Sequence, residues 1–535
     1  MELGTWRFFG TWNLEVASTM TGRARKFILL LLAAVLLAGG SQVQKSLNSD
    51  RQQLGLTRAA PLKDAPPLLA FTTVALGGFR GLISNFLWIR ANDLQLEDKY
   101  FEMVQLADWI TDLEPHFAQV WAFEAWNMAW NISVKFKENG PGDYSDRWRW
   151  VQAGMRLLRD KALKYNPDNA LLYQQLAWIF QSKLGQNMDD ADMYYKKEWA
   201  EEMTPFFGPH GTNYEQLIHP QTAEARTNAL RLHEEFKLDP QYVKHVDEEW
   251  GPFDWRLPEA SAIYWAAKGL EQAEAHPGMN KAFDVMSLRR VIFQSMLQTF
   301  HHGHIIADPF EHTYALAPNL DIIPKVNEAY ETMYAQESDP GQKNGILTAQ
   351  RNFLRDAVYY LYQDNRIAQA QKWFQYLAQK FPDKPIIDGD PNSLPRNLTL
   401  DQYAVACVQE NINQTSQDEV TAAVQGLLAR SYYNLAIGQD ARADGFKRLA
   451  IKVYQNYNAN IGPLAATRER IPLPPFDQIN RMVVNRLLSP QQPMLSYAAR
   501  AVLRTQLGLP AETNAPPPAT TPAPTNAPPA AASKP

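Results

Sequence analysis

Cysteine is nearly absent from this chain of 535 residues, since Cys407 is the only one. A disulfide-stabilised scaffold is therefore excluded, and the fold must depend on an apolar core, which a chain of this length can bury. Cys407 lies in QYAVACVQENI, a segment of helical character. We predict a buried, unreactive thiol there, and a nucleophilic thiol is the alternative.

Several sequence motifs of enzymes are also absent. The chain contains no P-loop, no G-x-G-x-x-G and no G-x-S-x-G. No basic stripe is present either, and the net charge of −5 is spread along the chain. Binding of nucleic acid requires clustered Lys and Arg to neutralise phosphates. The sequence therefore predicts no nucleic-acid partner and no cofactor, and it favours a protein that is not an enzyme.

An apolar segment follows three basic residues near the N-terminus. The segment is FILLLLAAVLLAGG at residues 27–40, and the pattern is typical of an export signal whose basic end stays in the cytoplasm. Its apolar core is long for a signal peptide and short for a spanning helix, so cleavage near residue 40 is the alternative to an anchor. We predict a single-pass inner-membrane anchor at 27–44, a cytoplasmic segment at 1–26, and a periplasmic body.

The segments on either side of the anchor carry further predictions. MTGRARKF makes Met20 an alternative start of the protein, because residues 1–19 form an unusual aromatic preface. Residues 45–66 are polar and are predicted to be a linker. The apolar stretch 68–94 contains Arg80 and Arg90, which favour a helix lying at the bilayer surface over a second membrane span.

Two windows of the chain share a spaced pattern. Each begins with proline and has an aromatic, a small residue and a tryptophan at offsets of six, ten and eleven: Pro115, Trp121, Ala125 and Trp126, then Pro167, Tyr173, Ala177 and Trp178. An aromatic side chain with a small residue one turn later lets a second helix pack closely. The pattern is typical of tetratricopeptide-type helical hairpins. It predicts that Trp121 and Tyr173 occupy equivalent buried positions.

A third window, 351–383, has almost the standard length of a tetratricopeptide repeat. Its predicted first helix carries Leu354, Ala357 and Leu361, and its predicted second helix carries Ala370 and Phe374. The turn between the two helices is predicted at 364–366. The first two windows are further apart than the roughly 34 residues of a standard repeat, and a loop around residue 140 accounts for the excess.

These patterns predict an all-α fold, a tetratricopeptide-like α-solenoid of helical hairpins. The hairpins occupy 67–184 and 260–509, and the Pro, Ala and Thr-rich tail at 510–535 is predicted to be disordered. No alternation of apolar and polar residues predicts a sheet. An irregular insertion at 185–259 carries two aromatic loops, FFGPHG and WGPFDWRLP, and long loops within a compact body usually line or cover a site.

The second aromatic loop is the candidate partner-binding surface. Its candidate residues combine aromatic rings with an acid and a guanidinium: Trp250, Phe253, Asp254, Trp255 and Arg256. Arg beside aromatic rings suits recognition of carboxylate, sugar or peptide. The alternative is an internal Arg–Asp pair that holds the loop against the body.

A histidine-rich segment is the densest set of potential metal ligands. It comprises His301, His302 and His304, followed by Asp308, Glu311 and His312. The spacing matches no specific zinc pattern. A helix that ends at Gly303 explains the histidines without an ion, and we predict that no metal is bound.

Two stretches resemble those of a family. The segment from Ala75 to Leu184, which includes ALGGFRGLISNFLWIRANDL, and the segment GPFDWRLPEASAIYWA resemble uncharacterised membrane-anchored tetratricopeptide-like proteins of Gram-negative planctomycete and verrucomicrobial bacteria. The resemblance implies this architecture and an envelope location, and it carries no catalytic residues. Members tend to have His where this chain has Ser261, which argues against metal binding at that position.

The predicted function is that of an exported, membrane-tethered scaffold that mediates protein–protein interactions in the cell envelope. A structural subunit of a larger membrane complex is the first alternative. The second is an all-α enzyme, metal-dependent near 301–312 or glycan-directed near 250–256.

Overall fold

A computed structural model describes the chain at 79–209, 211–278, 280–307, 309–310, 314–410, 417–465, 473–491 and 494–512, and at isolated positions between 31 and 50. The predicted start at Met20 and the linker and anchor at 27–66 fall wholly or mostly outside these residues, as does the tail. Across the described ranges, we find no helix with both the length and the apolarity to cross a bilayer.

The described residues before the second aromatic loop are mostly α-helical, as predicted. Their helices are α1 (Phe79–Leu96), α2 (Tyr100–Leu113), α3 (Ala118–Trp126), α4 (Ser145–Arg156), α5 (Ala170–Trp178), α6 (Asp192–Phe207), α7 (Tyr214–Ile218), α8 (Ala223–Glu235) and α9 (Pro240–Trp250).

The described residues after this loop are also mostly helical. Their elements are α10 (Pro258–Ala275), α11 (Ala282–His302), β1 (His304–Ala307), β2 (Tyr314–Ala317), α12 (Ile323–Gln336), α13 (Pro340–Gln363), α14 (Ile367–Lys380), α15 (Leu400–Glu410), α16 (Gln417–Ala436), α17 (Asp440–Ala465), α18 (Phe476–Leu487) and α19 (Tyr497–Gln506). Cys407 lies buried in α15, as predicted.

The chain separates into two compact units. One consists of Met1–Phe86 with Asp112–Glu114, and the other of Leu87–Thr111 with Pro115–Pro535. In the second unit, most of the buried apolar side chains from α3 to α19 form one contiguous cluster. The two clefts and the cavity described below are all lined by residues of this second unit.

Trp121 and Tyr173 make the same contact in their two windows. The Trp121 Nε1 donates to the Pro115 carbonyl oxygen at 2.9 Å. The Tyr173 hydroxyl donates to the Pro167 carbonyl oxygen at 2.8 Å. Both side chains are buried, so the predicted equivalence of Trp121 and Tyr173 is confirmed. In each window the aromatic ring ties the start of the helix to the proline that precedes it.

Glycines on helices that pack against the motif windows permit close approach of helices. A Cβ at Gly154 of α4 would lie 2.8 Å from the Ala125 carbonyl oxygen of α3. The same role recurs beside the third window, where a Cβ at Gly445 of α17 would overlap the Gln363 carbonyl oxygen at the end of α13. Helix backbones therefore pack in contact at these points, which excludes larger side chains.

The third window forms two helices as predicted, α13 and α14. The predicted inward residues Leu354, Ala357, Leu361, Ala370 and Phe374 are all buried. The turn falls at Asp364–Arg366, where Asn365 adopts a left-handed conformation with φ of 60°, which Asn tolerates better than most residues.

Three helices in and between the first two windows widen at their C-terminal ends. Helices α3, α4 and α5 each continue into a π-helical segment: Asn127–Ile132, Leu157–Ala162 and Ile179–Leu184. The wider turn changes which side chains face the core, so the α-helical period of the sequence is interrupted there. Buried polar side chains occur in these segments, among them Asn127, whose Nδ2 donates to the Phe123 carbonyl oxygen at 2.8 Å.

The prediction that the chain contains no sheet is wrong. Strands β1 and β2 pair antiparallel, with His304 opposite Ala317 and Ala307 opposite Tyr314. Ile305 packs in a cluster with Ala200 and Leu257, whereas Ile306 packs with Ile437. Because both faces of β1 are covered, its two central residues, Ile305 and Ile306, are both apolar, and the strand lacks the alternation that signals a strand in a sequence.

The insertion at 185–259 is more helical than predicted. It contains four helices, α6, α7, α8 and α9, which the two aromatic loops interrupt or follow. Helix α9 begins with a start signal that the sequence does contain. The Asp239 Oδ1 accepts from the Tyr242 N–H at 2.9 Å, and Pro240 is the first helical residue.

Candidate functional site

The carboxylate of Asp247 accepts the hydrogen bonds that hold the second aromatic loop to the body. Trp255 is 1% exposed, and its Nε1 donates to the Asp247 Oδ1 at 3.0 Å. The same oxygen accepts from the Phe253 N–H at 2.9 Å. Burial raises the pKa of Asp247, and these two hydrogen bonds oppose that rise. Trp255 is thus a packed anchor of the loop and presents little surface to a partner.

Arg256 forms an internal ion pair, which is one of the two roles that the sequence left open. Its Nε and Nη2 donate to the two carboxylate oxygens of Asp254 at 2.8 and 2.6 Å. The two side chains are only 9% and 12% exposed. A bidentate pair of this kind fixes the orientation of both groups, so neither charge is presented freely to a binder in this conformation.

The two aromatic loops and the hairpin line one cleft of about 610 Å³, the loop cleft. Phe207 from the first loop stacks on Trp255 from the second, with ring centroids 5.6 Å apart. His304 of β1 and Asp321 line the same cleft. The structure therefore brings together the two loops and one histidine, which are far apart in the sequence.

Trp250 lies elsewhere, because it ends α9 and precedes the turn of the loop. It lines an apolar groove of about 510 Å³ between α11 and α12, the Met-lined groove. The five candidate partner-binding residues are thus divided: Phe253, Asp254, Trp255 and Arg256 line the loop cleft, and Trp250 lines the groove. Partner binding by these residues stays a prediction.

The floor of the Met-lined groove is apolar. Its central side chains are Leu270, Ile292, Phe293, Met296, Ala329 and Met333, and Met286 stands at one side with 44% of its surface exposed. Phe293 packs edge-to-face on Tyr330 at 5.0 Å, which fixes its ring. Unbranched Met side chains adapt to the shape of an inserted side chain, so the groove suits an apolar helix face.

The edge of the Met-lined groove carries unpaired positive charge. Arg289 and Arg290 of α11 are exposed, and neither forms an ion pair with any residue that the structure describes. The other cation, Lys325, lies 3.9 Å from Glu328, and the acidic Glu249 lies 3.3 Å from His245. Two guanidinium groups are therefore available for carboxylates of a binder.

The histidines of the metal hypothesis point to different surroundings. Helix α11 ends at His302, and the Gly303 N–H donates to the Thr299 carbonyl oxygen at 2.7 Å. The His301 ring packs on Phe300 with centroids 4.8 Å apart, and burial lowers its pKa. Asp308, Glu311 and His312 lie outside the described residues. Among the residues that are described, no three or more His, Cys, Asp or Glu side chains are grouped to hold a metal ion.

Replacing Arg256 with Ala is expected to destabilise the fold by about 2 kcal/mol, because it leaves the Asp254 carboxylate largely buried without its partner. Urea unfolding measures the change. The double variant Arg256→Ala with Asp254→Ala is the control. Its loss of stability is expected to be smaller than the sum of the losses in the two single variants. Unchanged stability in Arg256→Ala would contradict the structural role of the pair.

The sequence missed the Met-lined groove, although a signal was present. Met286, Phe293 and Met296 recur at helical spacing in α11 beside the exposed Arg289 and Arg290. Apolar residues at such spacing usually face a core, and only the position of α12 shows that they line an open groove.

Comparison with known proteins identifies no relative. No family model, no curated protein and no solved structure matches this chain.

Proposed function

We propose that this protein is a membrane-tethered, tetratricopeptide-like scaffold that mediates protein–protein interactions in the bacterial cell envelope. The basic and apolar N-terminal segment supports an inner-membrane anchor with the bulk of the chain in the periplasm. The matching contacts of Trp121 and Tyr173 support helical hairpins of the tetratricopeptide type. Stacked hairpins bind polypeptides without catalysis, and neither a cofactor nor nucleic acid is part of the proposal.

The Met-lined groove carries this proposal. An amphipathic helix fits a groove with an adaptable apolar floor, and the unpaired Arg289 and Arg290 select one with acidic residues beside its apolar face. The partner is therefore a protein that presents an acidic amphipathic helix. Trp250 borders the groove, so one of the five candidate residues contributes directly to this surface.

A fusion of alkaline phosphatase after Pro535 is expected to be active in intact cells, because the positive side of the N-terminal segment should stay in the cytoplasm. Phosphatase folds to its active form only outside the cytoplasm, where its disulfides form. A fusion that is stably produced but inactive would refute the periplasmic location.

A photo-crosslinking side chain at Met286 or Met333 is expected to capture a partner in the native envelope. Mass spectrometry of the cross-linked peptide should identify a segment with apolar residues at helical spacing and flanking Asp or Glu. The same side chain at Leu230, which is 57% exposed on α8 outside the groove, is the control. Changing Arg289 and Arg290 to Glu should abolish capture, because the rim then repels an acidic helix.

Two results would contradict the groove as the binding site. One is equal capture from Leu230, and the other is capture that survives the charge reversal at Arg289 and Arg290. The structural-subunit alternative rests on a different surface, since Leu82 and Phe86 lie one turn apart on α1 and are 65% and 71% exposed. If Leu82→Asp with Phe86→Asp abolishes association and the groove variants do not, that alternative is favoured.

A further inference from the structure

A third concave site, a cavity of about 890 Å³, lies apart from the loop cleft and the Met-lined groove. We call it the basic cavity. Its walls come from α4 and the π-helical segment after it, α5, α6, the end of α8, and α10. Its volume is within the range of small-molecule sites, and it contains both charged and aromatic side chains.

Most of the positively charged side chains that line the basic cavity form no ion pair within the described ranges. Arg156, Lys164, Lys237 and Lys268 line it, and within the described part of the chain none of these four has an acidic side chain within 4 Å. The fifth cation, Arg159, donates to both carboxylate oxygens of Asp160 at 2.7 and 2.9 Å. Because Arg159 already pairs with Asp160, the four other cations are the groups available to a ligand.

The remaining acidic groups of the basic cavity do not balance these cations. Glu202 accepts a hydrogen bond from the Gln152 amide, and Glu235 pairs with Arg231 at 3.2 Å. Glu234 is exposed to solvent. Glu235 is thus engaged outside the cavity. Burial raises the pKa of Glu202, and Arg156 lies near enough for its guanidinium to oppose that rise. Lys268 has no acidic side chain within 4 Å among the described residues.

Lys268 is the innermost of the unpaired cations. Its Nζ donates to the Tyr264 hydroxyl at 3.1 Å, which leaves two of its three N–H groups without a described acceptor. It lies over the rings of Tyr242, Tyr264 and Trp265 at 5.4, 5.1 and 5.9 Å from their centroids. Burial lowers the pKa of Lys268, and the more distant Asp239 and Glu271 oppose this only in part. An anion beside it would compensate a charge that the fold leaves partly desolvated.

The same cavity provides flat apolar surface. The half-buried Phe236 supplies most of it, and the nearly buried Tyr173, Trp199 and Trp265 lie behind the cavity wall with only ring edges exposed. Trp199 packs edge-to-face on Phe236 at 5.9 Å, so these rings are held in place. Aromatic walls beside cations are the complement of a ligand with a flat apolar body and one anionic group.

We propose that the basic cavity binds an aromatic organic anion, whose carboxylate or phosphate group lies against Lys268 and Arg156 and whose ring packs against Phe236 and Trp265. The proposal is independent of the Met-lined groove, and either can fail without the other. It assigns a small-molecule site to the second compact unit in addition to the proposed protein-binding groove.

Calorimetric titration of the full-length chain in detergent tests the proposal, with phenylpropionate and phenyl phosphate as probes. Both carry a benzene ring and one anionic group, and the probe that binds more tightly identifies the preferred headgroup. Phenylpropionamide is the neutral control, expected to bind at least about tenfold more weakly than phenylpropionate because it cannot pair with a cation. Fluorotryptophan labelling adds a local readout, since the resonances of Trp199 and Trp265 should shift on saturation.

Lys268→Met removes the charge and keeps most of the side-chain volume, and it is expected to weaken phenylpropionate binding at least about tenfold. Arg156→Met, at an exposed position, is the second test if Lys268→Met fails to fold, and we expect a weakening of about three- to tenfold. Lys161→Met is the matched control, because Lys161 is exposed on the same segment and does not line the cavity. The Lys161→Met variant should bind phenylpropionate as tightly as the parent chain does.

Three outcomes would overturn the proposal. One is the absence of saturable binding of both anionic probes to the folded parent chain. The second is equal binding of phenylpropionate and its amide. The third is binding that is the same in Lys268→Met, Arg156→Met and Lys161→Met.

Discussion

Replacing Trp121 or Tyr173 with Ala is expected to lower the free energy of unfolding by about 3 to 5 kcal/mol in each case. Trp121 is 3% exposed and Tyr173 is 7% exposed, so each truncation leaves a cavity in the core. Each change also removes the hydrogen bond from the ring to the proline carbonyl that opens the window. Because the two residues make equivalent contacts, we expect the two variants to lose similar amounts of stability.

Urea unfolding monitored by far-UV circular dichroism measures these costs. Trp109→Ala is the control, because Trp109 is 51% exposed on α2 and its loss should cost less than about 1 kcal/mol. Tyr173→Phe keeps the ring and removes the hydroxyl, and we expect it to cost about 1 kcal/mol. A cost below about 1 kcal/mol for both alanine variants would show that the two windows are not equivalent core positions.

Replacing Glu259 with Gln is expected to stabilise the protein at alkaline pH by about 3 kcal/mol and to have little effect in acid. Glu259 is 3% exposed in the first turn of α10, and its Oε2 has no hydrogen-bond partner among the described residues. Burial raises the pKa of Glu259 from 4.5 to about 7. Its backbone N–H and the nearby Lys196 lower this pKa, and Asp254 raises it, but burial dominates.

The sign follows from proton binding in the two states. Between about pH 4.5 and pH 7 the carboxyl is ionised in the unfolded chain and protonated in the folded one, so the folded state binds more protons. The stabilising effect of the higher folded pKa is complete below about pH 4.5 and is lost as the pH rises through about 7. Raising the pKa from 4.5 to about 7 corresponds to about 3 kcal/mol, at about 1.4 kcal/mol per pH unit.

Unfolding of Glu259→Gln and the parent chain should therefore be compared at about pH 5 and pH 8. The free energy of unfolding of the variant is expected to exceed that of the parent by less than about 1 kcal/mol at the lower pH and by about 3 kcal/mol at the higher pH. Glu102→Gln, at an exposed position of α2, is the control and should change stability by about 0.5 kcal/mol or less at both. A difference between variant and parent that does not depend on pH would contradict the buried, protonated state.

The helical windows could be predicted because their signals are local. The offset between Pro115 and Trp121 places the indole beside the proline carbonyl as soon as a helix forms, and the offset between Pro167 and Tyr173 does the same. Helix periodicity and start signals act within a few residues of one another. The segment around Gly154 could not be read in this way, because its packing against Ala125 depends on the approach of two helices.

The candidate site was predicted only in part. The sequence identified the loop that contains Trp255 and Arg256 and left two roles for Arg256 open, and the structure shows the ion pair with Asp254. It did not indicate that Trp250 would line a different surface from the rest of the loop. That separation arises because α9 ends at Trp250 and the chain then turns to the hydrogen bonds made by Asp247.

By itself, the sequence determined that this protein is mostly helical, that Trp121, Tyr173 and the third window contribute to a core, and that aromatic loops interrupt the helices. These features depend on side-chain spacing and on turn residues within short stretches of chain. The tertiary structure alone decided that His304 begins a strand, that the two aromatic loops line one cleft, and that Lys268 lies unpaired among aromatic rings. Each of these depends on contacts between residues far apart in the sequence, where burial and the surrounding charges, rather than local propensity, set the state of a side chain.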